Sequence, residues 1–423
     1  MDALLDVDWD EESSWSWSEL PESLKEYILA WLPLQSLSRF SMVCNQWNAL
    51  LSSSKFITNE WAIAVPNRKP LLILCSFNSE LPSMTYSFFT QTWRNSFSFH
   101  FLQPEEDGRN ERFNVSYHGS AGGLFLVGAC DRFHFTTYHV CNPLTTTSLQ
   151  LPPMSSIQKV TVIGMCKNAI SISIVNFKNI SEFNNNNESE SSSYTVVAVG
   201  RSHRENVEVL EIYDSSENCW RIVGQLPENV RLMPTRVGDG GRLIFCNGIC
   251  YSLAINTDVP RRERRGIIGF NIADGTSNFA SLPFQTLDLA PIGWPQLLTC
   301  GSRVLLTGGI SDNQGLSNTV GIWEFHSNSS LLAEITRMPA SMLNRISPIG
   351  RFDSVGMKDC VCFIVYKDKP ERETVVAIYN LNQNSWGWLP NCPMNSPTKC
   401  LSFEARLDIQ VRSRISEDFV TGS

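Results

Sequence analysis

Residues 212–227 are IYDSSENCWRIVGQLP, and residues 378–390 are IYNLNQNSWGWLP. Each stretch begins with strand-forming residues, continues through a polar turn to a tryptophan, and closes on Leu-Pro. Four less complete copies span residues 86–102, 140–152, 270–283 and 322–339. The closing Leu or Met residues of the six copies stand 49, 75, 56, 56 and 51 residues apart, and the longest interval contains a polar insertion. A period of roughly 50 residues with several strands in each unit is typical of a β-propeller blade.

The surrounding segment 66–411 also predicts an all-β fold, because short apolar runs alternate with Gly, Pro, Asn, Asp and Ser. Asn247-Gly248 between two apolar arms is a strong hairpin signal. Alternating apolar residues in 402–411 predict a last strand that pairs into the first blade and closes the ring. The tryptophans of the repeated unit are expected to wedge between blades. Inner strands that crowd near the axis are predicted at the glycine pairs 122–123, 240–241 and 308–309.

Residues 17–62 predict a small helical domain in front of the propeller. A helix-initiating proline is followed by apolar residues at a spacing of four, which places them on one helix face. These residues are Pro21, Leu24, Ile28 and Leu32. Pro33 ends this helix, and Val43, Cys44 and Trp47 belong to a second apolar set. A segment of this length cannot bury all of these apolar side chains within itself. An apolar face therefore remains for a partner.

The net charge of −8 belongs to the first 22 residues, which contain eight acids and no Lys or Arg. The other 401 residues sum to zero, which argues against a protein that coats nucleic acid. No apolar run has the roughly 18 residues of a membrane helix. Thirteen cysteines without a secretory signal predict reduced thiols and a protein of the cytoplasm and nucleus. The predicted organisation is an acidic arm (1–16), the helical domain (17–62), the propeller (66–411) and a tail (412–423).

Catalytic and metal-binding motifs are absent from the sequence. It contains no phosphate-cradling Gly-Lys loop, no nucleophile elbow and no zinc spacing of His and Cys. His134 and His139 flank a predicted hairpin, and we interpret them as core or surface residues in preference to a metal pair. We therefore predict no cofactor and no catalytic residue. The one dense basic run has two open interpretations, a solvated hairpin loop or a contact for nuclear import or an acidic partner; its basic residues are Arg261, Arg262, Arg264 and Arg265.

The helical segment resembles an F-box. The resemblance rests on an ordered set of residues, which are Leu20, Pro21, Leu24, Ile28, Leu29, Leu32, Pro33, Leu37, Phe40, Val43, Cys44, Trp47, Leu50 and Phe56. An F-box followed by kelch-like repeats is similar to the plant F-box/kelch-repeat family, in the subgroup of the unusual-floral-organs and Hawaiian-skirt proteins. Gly321–Trp323, Ile335–Pro339, Ser385–Pro393 and Phe403–Leu407 belong to the same resemblance.

The resemblance implies the substrate receptor of a ubiquitin ligase, which is not an enzyme itself. An F-box of this kind binds a Skp-type adaptor and through it a cullin–RING ligase, while the propeller holds a target protein, for which a transcription factor is one candidate. The residues expected at the adaptor are Leu20, Pro21, Leu24, Ile28, Leu32, Pro33, Val43, Cys44 and Trp47. Some of these must form the domain's own core, and the sequence does not separate the two groups.

Two other functions stay open from the sequence. One is a transcriptional cofactor or scaffold whose propeller holds a DNA-binding protein, which the basic run and the acidic Trp-containing arm favour. The other is a propeller enzyme with a site on the axis, which no residue pattern favours. The substrate-binding loops of the propeller are not identified, because propeller specificity lies in loops.

Overall fold

The computed structural model divides the chain into two compact units, Met1–Arg68 and Lys69–Ser423. It describes residues 17–32, 36–37, 40, 43–51, 53, 56, 70–75, 83–95, 114–130, 136–167, 193–202, 207–233, 241–259, 265–274, 276–281, 292–311, 317–346, 351–366, 374–394, 399–406 and 411. The first unit contains the predicted helices and the second contains the predicted strands. The predicted arm 1–16 and tail 412–423 lie outside the described residues, and the domain bounds proposed above stay predictions.

The first unit contains a 3-10 turn at Trp17–Glu19, helix α1 at Glu22–Ala30 and helix α2 at Asn45–Leu51. Pro21 is the N-cap of α1 with φ −53°, a position where a missing N–H costs nothing. Leu37, Leu51 and Phe56 are buried. Burial of these apolar side chains removes apolar surface from water and stabilises the fold.

The second unit contains six sheets that follow one another along the chain, and their strands pair antiparallel except for one short parallel pair in blade 3. Their strands, in chain order, are as follows: blade 1 has β1 Leu71–Cys75, β2 Met84–Ser87 and β3 Thr92–Asn95; blade 2 has β4 Asn114–Ala121, β5 Leu124–Cys130, β6 Thr136–Asn142 and β7 Thr147–Gln150; blade 3 has β8 Ile157–Lys167, β9 Tyr194–Ser202, β10 Glu208–Asp214 and β11 Cys219–Gln225. Blade 4 has β12 Val230–Leu232, β14 Ile244–Cys246, β15 Ile249–Asn256, β16 Arg265–Asn271 and β17 Ser277–Ser281; a short β13, Gly241–Arg242, runs parallel to β8. Blade 5 has β18 Ile292–Cys300, β19 Arg303–Ser311, β20 Ser317–His326 and β21 Leu331–Arg337; blade 6 has β22 Arg351–Met357, β23 Cys360–Tyr366, β24 Thr374–Asn380 and β25 Ser385–Trp388. Helix α3, Ala340–Ile346, lies between blades 5 and 6, and β26, Lys399–Phe403, is the last strand.

The ring is closed by β26, which pairs antiparallel with β1 and completes blade 1. The innermost strands of the blades touch in cyclic order, from β26 through β4, β8, β14, β18 and β22 back to β26. The prediction of a six-bladed propeller is therefore confirmed. The closing strand, however, is not 402–411 as predicted. Phe403 already pairs with Leu71, the first residue of β1, so the partner strand ends there.

The predicted hairpin at Asn247-Gly248 joins β14 to β15, and both residues have positive φ, 52° and 79°. The prediction for the glycine pairs was wrong for two of them. Gly122-Gly123 is the turn between β4 and β5, with φ of 53° and 86°, and Gly308-Gly309 lies in β19, the second strand of its blade. Only Gly241 touches an innermost strand, because β13 pairs with β8. Gly240 lies outside the described residues.

Tryptophans do wedge between blades, as predicted. In three blades a Trp on the outermost strand donates its indole N–H across the seam to the preceding blade. Trp93 bonds the Pro390 carbonyl at 2.7 Å, and Trp220 bonds the Pro152 carbonyl at 2.8 Å. Trp386 bonds Thr336 Oγ1 at 3.2 Å. The Leu-Pro that closes one repeat is thus the acceptor for the tryptophan of the next one in two of these seams, which gives the repeated motif a structural role.

Candidate interaction surface

Helix α1 has two chemically opposite faces. Leu24, Tyr27, Ile28 and Trp31 follow the i, i+3, i+4, i+7 pattern and share one face of the helix. Each of them is between 38% and 52% exposed. We call this set the α1 apolar face. Large apolar side chains at helical spacing on the outside are unusual for an isolated soluble domain and mark an interaction site.

The other face of α1 is buried and includes two charged residues. Lys25, Glu26, Leu29 and Ala30 are all buried. The Lys25 ammonium forms an ion pair of 3.0 Å with Glu22 in the first helical turn. Burial of long charged side chains next to exposed leucine, isoleucine and tryptophan inverts the usual amphipathic order. The apolar face is therefore exposed because of how the helix is oriented. It is not exposed because the helix is apolar on every side.

A second exposed apolar position lies just before α2. Val43 is 66% exposed, and Cys44 beside it is exposed as well. The Cys44 carbonyl accepts a hydrogen bond of 3.0 Å from the Asn48 N–H, so these residues lead directly into the first turn of α2. Their backbone is thereby held by the helix while their side chains face solvent.

Trp47 packs inside the first unit. Its ring centroid lies 4.7 Å from that of Phe40 and 5.2 Å from that of Trp17. Tilted aromatic pairs at these distances contribute packing energy beyond simple burial. Trp47 is half-buried. Trp47 therefore contributes more to the packing of the unit than to a surface that a partner could contact.

The nine residues that the sequence nominated therefore occupy different environments. Five are exposed, namely Pro21, Leu24, Ile28, Val43 and Cys44. Leu20, Leu32 and Trp47 are half-buried, and Pro33 lies outside the described residues. Tyr27 and Trp31 were not nominated although they belong to the α1 apolar face. Their spacing to Leu24 and Ile28 was the signal that would have found them.

The basic run lies between β15 and β16. Arg265 is exposed and is the first residue of β16, whereas Arg261, Arg262 and Arg264 lie outside the described residues. This placement fits a loop between two strands.

No group of three or more His, Cys, Asp or Glu residues is arranged as a metal site in the part of the chain that the structure describes. His139 bonds Thr137 Oγ1 at 3.1 Å, and burial lowers its pKa; His134 lies outside the described residues. Burial raises the pKa of the Cys75 and Cys300 thiols to about 12 and that of Cys392 to about 11. Such thiols are protonated near neutral pH and are poor nucleophiles.

No helix within the described ranges is long and apolar enough to span a bilayer.

Comparison with known proteins agrees with this division into a helical unit and a propeller. The F-box domain family matches residues 17–59. F-box only protein 6 of Arabidopsis thaliana is 24% identical over 89% of this chain and 70% of its own length. An F-box/kelch-repeat protein of the same plant is 24% identical over 93% of this chain and 90% of its own. The Arabidopsis protein UNUSUAL FLORAL ORGANS is 21% identical over 89% of this chain and 79% of its own.

Among solved structures, TolB from Acinetobacter baumannii aligns with 79% of this chain and 66% of its own at 6% identity, with a TM-score of 0.43. This likeness is too distant to carry an argument. The sequence relatives, the F-box match and the six-bladed ring converge on one description. The chain carries an F-box domain in front of a six-bladed β-propeller and is similar over most of its length to the F-box/kelch-repeat proteins of Arabidopsis.

Proposed function

We propose that this protein is the substrate-recognition subunit of an SCF-type (Skp–cullin–F-box) ubiquitin ligase. The observation that supports this most strongly is the α1 apolar face, which lies within the segment that matches the F-box domain. A partner that covers these four side chains removes apolar area from water, at about 25 cal/mol for each Å². An F-box domain implies a Skp-type adaptor as that partner.

The proposed adaptor contact consists of the α1 apolar face together with the exposed residues Pro21, Val43 and Cys44. Leu20 and Leu32 flank the helix and are half-buried, so they support the contact from its edges. Trp47 holds the position of α2 by packing on Phe40 and Trp17. Pro33 remains a nominated contact.

The proposed mechanism is proximity. The adaptor joins the F-box unit to a cullin–RING ligase, and the propeller binds a target protein so that its lysines lie within reach of the ubiquitin carrier. Because both partners bind one chain, the target and the ubiquitin carrier are held close together and need not meet by free diffusion. This chain makes and breaks no bond in that scheme. A transcription factor remains one candidate for the target.

Co-expression with a Skp-type adaptor tests the proposal. The wild-type chain should co-purify with the adaptor, and the double variant Leu20→Ala, Pro21→Ala should not. Ile28→Glu should have the same effect, because it places a charge in the centre of the α1 apolar face, where burial without a partner is costly. Ser23→Glu is the matched control, since Ser23 is exposed on the same helix but lies outside this face.

Adaptor binding that survives both the double variant and Ile28→Glu would disprove the assigned contact. Binding lost equally in Ser23→Glu would show that helix damage, not the apolar face, is responsible. The scaffold alternative makes a different prediction: target abundance would not change on proteasome inhibition, while reporter activity would still depend on this chain.

We also propose that the protein occurs in the nucleus and cytoplasm, with the basic run 261–265 as its import signal. The exposed Arg265 at the start of β16 supports an accessible run. Replacement of the four arginines by Ala in a fluorescent fusion should shift the protein toward the cytoplasm. An unchanged nuclear fraction would rule out the import role and leave the solvated-loop interpretation.

A further inference from the structure

A cavity of about 250 Å³ opens at the seam between blades 4 and 5. Blade 4 contributes Tyr251, Ile267, Gly269 and Ala280 to its wall, and blade 5 contributes Phe325 and Ser330. The mouth is polar, because it is formed by serine, threonine and asparagine side chains. The lining thus combines an apolar floor with hydrogen-bonding groups at the rim, which is the usual construction of a small-ligand site.

The strand register shows which side chain blade 5 places at this seam, where Leu332 packs against the apolar cluster of blades 4 and 5. In blade 3, Trp220 pairs with Tyr213 across a turn in which Asn218 has φ 52°. In blade 5, Leu332 pairs with Phe325 across a turn of the same length in which Ser330 has φ 53°. Leu332 therefore occupies the position of the tryptophan that fills the seam in blades 1, 3 and 6.

Blade 4 differs from blade 2 in the side chains at the corresponding positions of this seam. Gly269 lies between Tyr251 and Asn278 in the sheet, as Val140 lies between Leu126 and Leu149 in blade 2. Ala280 lies opposite Ile267, as Leu151 lies opposite Tyr138. Relative to the seam between blades 2 and 3, two side chains are smaller: Trp becomes Leu and Leu becomes Ala. Val also becomes Gly, but the ring of Tyr251, which stands where blade 2 has Leu126, covers Gly269.

The equivalent seam shows what fits such a space. Trp220 packs there in one cluster with Leu124, Leu126, Val140 and Leu151. Its indole N–H reaches a carbonyl at the edge of the seam. The blade 4–5 seam keeps the apolar floor and adds acceptors, since Asn278 replaces Leu149 and Ser327 lies at the mouth beside Tyr251.

We propose that the seam between blades 4 and 5 is a binding site for an indole ring that comes from outside the chain. The ring would lie on Ile267, Ala280 and Phe325, in the space that Trp220 occupies in its own seam, and would donate its N–H to an oxygen at the mouth. The indole belongs either to a tryptophan side chain of a bound polypeptide or to a free small molecule. This site is separate from the adaptor contact and does not depend on the proposed ligase role.

Ligand-observed NMR and calorimetry on the full chain test the site with free indole and N-acetyl-tryptophan amide. We expect dissociation constants of about 1 mM for such small probes. Leu332→Trp restores the missing side chain, so it should weaken binding by at least about tenfold while leaving the melting temperature unchanged or higher. Leu331→Trp is the matched control: Leu331 is exposed, and its side chain leaves the opposite face of the strand. It should bind the probes within about twofold of wild type.

Ala280→Leu gives a second filled variant in case Leu332→Trp does not fold. Binding of N-acetyl-tryptophan amide would assign the site to a polypeptide side chain, and binding of free indole alone would assign it to a small molecule. The proposal is overturned if neither probe binds, if a folded filled variant binds like wild type, or if N-acetyl-leucine amide binds as well as the indoles. None of these variants touches residues 17–59, so adaptor binding is an independent readout.

Discussion

His118 on β4 shows how strongly the propeller interior can shift the pKa of a single side chain. Burial, together with the positive charge of Lys399, lowers the pKa of His118 to about 3. Nε2 lies 2.9 Å from Ser116 Oγ, and Nδ1 has no hydrogen-bond partner among the described residues. The imidazole is therefore neutral in the folded protein at every pH at which the protein is normally handled.

The depressed pKa of His118 predicts acid sensitivity. The unfolded chain takes up a proton near pH 6.5 but the folded chain does not, so the histidine's contribution is complete above pH 6.5 and is lost as pH falls toward 3. Between about pH 8 and pH 5 the free energy of unfolding should fall by about 2 kcal/mol from this residue. In His118→Asn, denaturant unfolding across this range should show a shallower pH slope. An identical slope in both proteins would refute the assignment.

Helix α1 illustrates what an element's sequence can and cannot predict. The spacing of Leu24 and Ile28 predicted the helix and one apolar stripe correctly, because helical periodicity is local. It did not predict that Lys25 and Glu26 would be buried while Tyr27 and Trp31 are exposed. That outcome depends on how the helix is oriented by the rest of the unit, which no local pattern contains.

The last strand gives a second example. Alternation in 402–411 predicted a closing strand, but the pairing with β1 decides where it begins and ends, and β26 is Lys399–Phe403. Phe403 also stacks on Phe125 of blade 2 at 4.6 Å between ring centroids. The strand therefore ties the end of the chain to two blades at once.

A chain that ends at Thr398 should lose the closed ring. It exposes the edge of β1 and removes the Phe403 stack, and loss of a buried Phe side chain alone costs about 3–5 kcal/mol. We expect a lower melting temperature, faster proteolysis and aggregation on size-exclusion chromatography. A chain that ends at Val411 keeps β26 and is the control. Equal stability of the two truncated chains would show that β26 does not close the ring.

For the whole molecule, the sequence period predicted the number of blades well, because each blade repeats the same hairpin and turn. It predicted the individual seams less well. In the copy at 270–283 the aromatic residue that follows the turn is Phe279. The register nevertheless places Ser277 opposite Phe270, where blades 1, 3 and 6 have tryptophan, and Phe279 lies two residues further on. The filling of each seam follows from pairing between strands, which a degenerate motif does not specify.

The affinity of the full chain for a Skp-type adaptor tests the central claim, that the α1 apolar face is the adaptor contact. Tyr27→Ala with Trp31→Ala should weaken binding by at least about 30-fold, because truncation of two interface aromatics costs about 1 kcal/mol or more each. Thermal stability should change little, since both side chains are about half exposed. Ile222→Ala, which truncates an exposed apolar residue of the propeller, should bind like wild type. Wild-type affinity in the Tyr27, Trp31 double variant would contradict the account.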